Sequence, residues 1–153
     1  PSPSPTAKPT PKATPTPKPT VSPTKQPTPT PTKKPTATAK PSSPPKANPN
    51  TAAGVCGSGY KAVDSHSLGS ATVYLLYSSA AGKNCVVTLS KYVVPQKIKM
   101  SAVLQVKGGG SGNDTGDYTE YAGPLRLAAS KMCVIWGGGY GTASWKSGWS
   151  HCG

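Results

Sequence analysis

The sequence predicts an all-β domain, a small antiparallel sandwich or barrel with two disulfides, behind a disordered, polyproline II N-terminal tail. Three observations predict it. Seventeen of the 19 prolines lie in residues 1–50, and all 17 glycines lie from Gly54 onward, so the chain divides into two regimes. The later regime is a series of short Val-, Tyr- and Thr-rich segments punctuated by Gly, Ser and Asn, the pattern of strands and turns. It also holds four cysteines, Cys56, Cys85, Cys133 and Cys152, a density typical of small domains stapled in an oxidising compartment.

The division sets the domains at 1–52, a Pro/Thr/Lys-rich linker or stalk, and 53–153, the β domain. Residues 1–50 contain no aromatic, no acid and one large aliphatic, Val21. They cannot bury enough apolar surface to offset the entropy of ordering. PTPKPT, PTPTPT and PTKKPT recur there without a strict period, which is low complexity and not a structural repeat. Alternating Pro and Thr favours polyproline II at about 3.1 Å per residue, a semi-rigid stalk on the order of 150 Å. Its eleven threonines and five serines suit either O-glycosylation of the mucin-like kind or an unmodified spacer, and the sequence leaves both open. The chain starts at Pro1 with no Met, basic n-region or apolar h-region, as expected of a mature product or a fragment. No stretch approaches the roughly 20 apolar residues that a helix needs to span a bilayer.

The net charge of +13 splits in the same way. Eight lysines and no acid give the first 50 residues +8, and nine basic against four acidic residues give the rest +5. Such a balance favours polyanions. Nucleic acid is not the expected partner, because the tail lysines are diluted by Pro and Thr; an anionic wall polymer fits the inferred compartment better.

Within the domain, strands are predicted at 59–64, 72–77, 84–90, 98–106 and 118–127, with turns at 78–83 and 108–117. Pro95 belongs on an edge or in a bulge, since it cannot donate to a ladder. Residues 125–131 (LRLAASK) are assigned to strand over short helix. A final hairpin is predicted from 131–136 and 144–152, around the turn Gly137-Gly138-Gly139-Tyr140-Gly141. Cysteines near the ends of such a hairpin approach to bridging distance, which favours Cys56–Cys85 with Cys133–Cys152 among the three possible pairings. Zinc is set aside: C-x-x-C pairs are absent, and the two histidines are His66 and His151.

Asp64-Ser65-His66-Ser67 has the residue types of a hydrolytic triad. Neighbours along a strand point to opposite faces, so a surface turn is the preferred reading and no catalytic residue is assigned. Asn113, Asp114 and Asp117 in the Gly-rich loop are oxygen ligands suited to Ca²⁺, but without EF-hand spacing. A solvated loop is preferred, and no cofactor is expected. Trp136, Tyr140, Trp145 and Trp149 are the candidate ligand-binding aromatics. Period-2 alternation places Trp145, Ser147, Trp149 and His151 on one hairpin face together with Trp136. At least one indole is expected in the core, because the chain has no Phe. Trp145 and Trp149 are expected to be exposed.

The segments CGSGYKAVDSHSLGSATVYLLYSSAAGKNCVVTLS and DTGDYTEYAGPLRLAASKMCVIW, with the closing HCG, resemble the spore-associated protein A family of streptomycetes. The resemblance runs from about Val55 to Gly153 and takes in all four cysteines and Gly123-Pro124. It implies an exported, disulfide-bonded domain found with spores and aerial growth, and it carries over no catalytic residue. The tail resembles the juxtamembrane linkers of actinobacterial surface proteins. The expected function is a secreted or surface-tethered, non-catalytic module in recognition or structure at the cell wall or spore surface. Its partners would be wall glycan, an anionic wall polymer or a surface protein. The alternatives are the sensor domain of a receptor-type Ser/Thr kinase and a small secreted hydrolase.

Overall fold

The computed structural model describes residue 15 and residues 43–153. The expected polyproline II stalk, its disorder and its glycosylation lie outside the described residues. The compact unit that follows the tail is Pro41–Gly153. Among the described residues, no helix is long and apolar enough to cross a membrane.

One helical turn, α1 (Ala52–Cys56), precedes eight strands: β1 (Lys61–Ser67), β2 (Ala71–Ser78), β3 (Lys83–Ser90), β4 (Ile98–Val106), β5 (Ser111–Tyr118), β6 (Tyr121–Ala128), β7 (Val134–Tyr140) and β8 (Ala143–Lys146). They form two four-stranded antiparallel sheets, ordered β1-β2-β3-β6 and β5-β4-β7-β8. The fold is therefore all-β with two packed antiparallel sheets, as the sequence predicts. In β4 the buried positions alternate as Met100, Ala102, Leu104 and Val106, which face Val73, Leu75 and Val86 of the other sheet and Val134 and Trp136 of β7. Each fully buried aliphatic of this kind contributes about 1.5–3 kcal/mol.

The middle strands of the first sheet, β2 and β3, are buried on both faces because a third layer covers their outside. Leu76, Cys85 and Val87 pack there under Ala52, Val55 and Tyr60. Thr51 caps α1, its hydroxyl accepting from the Gly54 N–H at 3.0 Å. At the other end Arg126 donates from Nε to the Cys56 carbonyl (2.6 Å) and from its terminal nitrogen to the Val55 carbonyl (3.0 Å), satisfying orphan acceptors of the short helix. The Cys56–Cys85 disulfide, with Cα atoms 6.1 Å apart, ties this layer to β3.

Four local outcomes depart from expectation. The packed domain begins before residue 53. Ala47 pairs with Tyr92, and the Asn48 side-chain amide donates to the carbonyls of Ser90 (2.9 Å) and Glu120 (2.8 Å). Those carbonyls lie where the chain leaves one sheet for the other, and Asn48 adds side-chain donors there, beside the Ser90 N–H that the Glu120 carbonyl also accepts at 2.9 Å. Second, most of 108–117 is not a turn: β5 pairs with β4 from Ser111 opposite Gln105 to Tyr118 opposite Ile98. Its glycines make room. A Cβ on Gly112 would lie 3.4 Å from Leu125 of β6, and one on Gly116 would lie 2.9 Å from the Tyr118 hydroxyl.

Third, the glycines of 137–139 continue β7, and the reversal comes at Gly141, with φ +61°. Gly138 packs against Thr88 of the other sheet with no room for a side chain. A Cβ there would fall 2.0 Å from Thr88 Oγ1 and 2.7 Å from the Ser101 carbonyl, and Thr88 Oγ1 itself donates to that carbonyl at 2.7 Å. Finally, Pro95 lies in the β3–β4 connection, while the bulge opposite Val86–Thr88 is made at Gly123-Pro124, whose peptide bond is cis.

Candidate functional site

The edge strands β1 and β8 belong to different sheets, and the C-terminal segment closes the gap between them. His66 on β1 stacks on Trp145 of β8, ring centres 4.1 Å apart and planes 8° from parallel. Trp145 meets Trp136 edge-on at 4.8 Å, and His151 meets the same ring edge-on at 6.4 Å. Asp64 Oδ2 lies 3.4 Å from His151 Nε2. The seam is thus an aromatic stack with one Asp–His contact at its rim. The Asp64–His151 pairing spans 87 positions of sequence, and no local motif signals it.

This geometry separates the triad-like residues of β1. His66 is committed to the Trp145 stack, one carboxylate oxygen of Asp64 accepts the Ser65 N–H at 2.7 Å, and the other faces His151. A second string, Ser150–His151–Asp64, does come together, with Ser150 Oγ 3.0 Å from His151 Nδ1. The Ser150 hydroxyl, however, is shared with the Val134 carbonyl at 3.4 Å. The imidazole faces Asp64 through Nε2 and Ser150 through Nδ1, the reverse of the order in a serine-hydrolase triad.

The four candidate aromatics do not share a face. Trp136 is core, 1% exposed, and Tyr140 is half-buried against the same cluster. Trp145 stands opposite Gly138 in the β7–β8 ladder, whereas Ser150 stands opposite Val134. Those two pairings differ in register by one residue, and a one-residue slip moves the side chains beyond it to the other face. Trp145 therefore points inward with Trp136. Trp149, next to Ser150, points outward and is 44% exposed.

Asn113, Asp114 and Asp117 are also separated, because they sit on a strand and not in a loop. Asn113 and Asp117 take one face of β5 and Asp114 the other. The Asp114 carboxylate is already occupied, accepting from the Tyr118 hydroxyl and from the Gly123 N–H at 2.7 Å. The hydrogen bond to Asp114, reinforced by desolvation and by its charge, raises the Tyr118 phenol above its ordinary value of 10.0. Asn113 Oδ1 accepts from Thr115 at 2.7 Å. Among the described residues, no three of His, Cys, Asp and Glu are grouped to hold a metal ion.

A cleft of about 320 Å³ opens beside the seam. Its first wall is Val63, Tyr77 and Asn84, from β1, β2 and β3. Ala129 and Lys131, from the β6–β7 connection, form the second. His151, Cys152 and Gly153 close it. Val63 reaches the cleft because β1 bulges between Ala62 and Asp64. The Cys133–Cys152 disulfide, Cα atoms 3.9 Å apart, joins the second wall to the closing segment. Lys131 and His151 are the non-glycine residues with positive φ among the described residues, at 57° and 52°. Such conformations concentrate where a side chain is held for a purpose.

No family profile matches the chain, and no solved structure matches it. Spore-associated protein A of Streptomyces coelicolor is 46% identical to it over 102 residues, 65% of this chain. The match covers 66% of that protein, just under two thirds of its length. It agrees with the resemblance carried by the cysteine pattern and by Gly123-Pro124, and over this stretch the chain belongs to the spore-associated protein A family.

Proposed function

We propose that this chain is a surface module of an actinobacterial cell, secreted or tethered, acting in recognition or structure at the cell wall or spore surface. It is held out on its Pro/Thr stalk and catalyses no reaction. The observation that carries this reading is the 46% identity to a protein named for its association with spores. The chemistry of the domain supports it. Both disulfides are formed and no cysteine is free, a state that persists in an oxidising exterior. Trp149, an aromatic of the type enriched at recognition surfaces, is presented outward on the disulfide-closed segment. The net charge of +13 favours an anionic wall polymer over a neutral partner.

Fractionation of a sporulating producer strain tests the location. The chain is expected in the spore-surface and wall fractions, and cleaved when intact cells or spores are treated with a protease that cannot enter them. Recovery from the cytosol in protease-protected form contradicts the proposal.

A further inference from the structure

We propose that the cleft between Val63 and Lys131 is a binding site for the carboxyl terminus of a peptide ending in small aliphatic residues. Its volume of about 320 Å³ lies at the small end of the range for ligand sites, about 300–1,000 Å³, and admits one or two small residues. Val63 and Ala129 give it apolar walls. Against those walls stands Lys131, which forms no ion pair among the described residues; the Asp64 carboxylate at the rim is taken by His151. A cation beside an apolar surface, in no direct ion pair, fits a carboxylate attached to an aliphatic body. The peptide group behind that carboxylate meets Asn84. This buried amide, 4% exposed, gives one N–H to the Leu76 carbonyl at 3.2 Å and keeps its remaining hydrogen-bonding capacity for a ligand.

The cleft is held open from both sides. The Val63 bulge supplies one wall, the Cys133–Cys152 bridge fixes Lys131 relative to the C-terminal segment, and the Asp64 pair orients His151. The assignment does not use Trp149 itself, so the peptide titration and the wall-binding test fail separately.

Two-dimensional amide NMR of the full oxidised chain, titrated with N-acetyl-Ala-Ala, tests it. Saturable shifts are expected at Val63, Asn84 and Lys131. The C-terminal amide of the same peptide should bind at least about tenfold more weakly. Lys131→Gln should weaken the acid form by a similar factor, while Lys146→Gln, outside the cleft, leaves it unchanged. Equal binding of acid and amide overturns the proposal, as does unchanged affinity in Lys131→Gln. Butyrate binding as tightly as the peptide replaces the peptide terminus with a free acid and overturns it too, and so does the lack of shifts at millimolar peptide. If Lys131→Gln does not fold, the acid–amide comparison on the unaltered chain decides.

Discussion

Asp114 shows how much one side chain settles in this domain. Its carboxylate holds the Tyr118 hydroxyl on its own strand and the Gly123 N–H at the bulge of the other sheet, so it links β5 to β6 and cannot serve as an open metal ligand. Because the phenol is raised, its neutral form is favoured in the fold. The stabilisation is present below the unfolded value near 10 and is lost as pH rises through the folded value. Spectrophotometric titration should show one of the seven tyrosines ionising late, and Asp114→Asn should return it toward the others. The tryptophans separate on the same local logic. Trp145→Ala removes the His66 stack and the edge contact to Trp136 and should lower stability in urea unfolding by about 1–3 kcal/mol. Trp149→Ala, on an exposed ring, should stay within about 0.5 kcal/mol of the parent.

Strands were legible where composition and burial agree. β4 falls on 98–106 as predicted, because its alternation of apolar and polar residues records one face on the core. β5 was hidden because an edge strand packed closely under β6 has glycines on its inward face and polar residues on its outward face, which reads as a loop. β7 was cut short for a related reason. Gly138 is glycine because Thr88 and the Ser101 carbonyl leave no room for a Cβ, not because the chain turns there. Gly138→Ala should therefore cost about 1–3 kcal/mol or more, by overpacking between the sheets, and chemical denaturation measures it. The slip after β8, which parts Trp149 from Trp145, has no compositional mark; a run of Ser, Gly and Lys accommodates either register.

At the scale of the whole molecule, the two-sheet architecture follows from period-2 patterning and Gly/Ser/Asn punctuation, which the chain displays openly. The cleft and the seam do not. They are built from residues brought together from five strands, the β6–β7 connection and the C-terminal segment, and only the three-dimensional structure joins Asp64 to His151 or Val63 to Lys131. The bridge between Cys133 and Cys152, 19 positions apart, closes this side. Replacing both cysteines with Ser should cost about 3 kcal/mol in the chain-entropy view, with the cleft lost before the sandwich.

Sedimentation of the full chain with purified actinobacterial cell walls tests surface recognition most directly. The oxidised protein should pellet with the walls, less so as salt rises, and Trp149→Ala should reduce the bound fraction several-fold at unchanged melting temperature. Full recovery of the unaltered protein in the supernatant would contradict a recognition role at the wall.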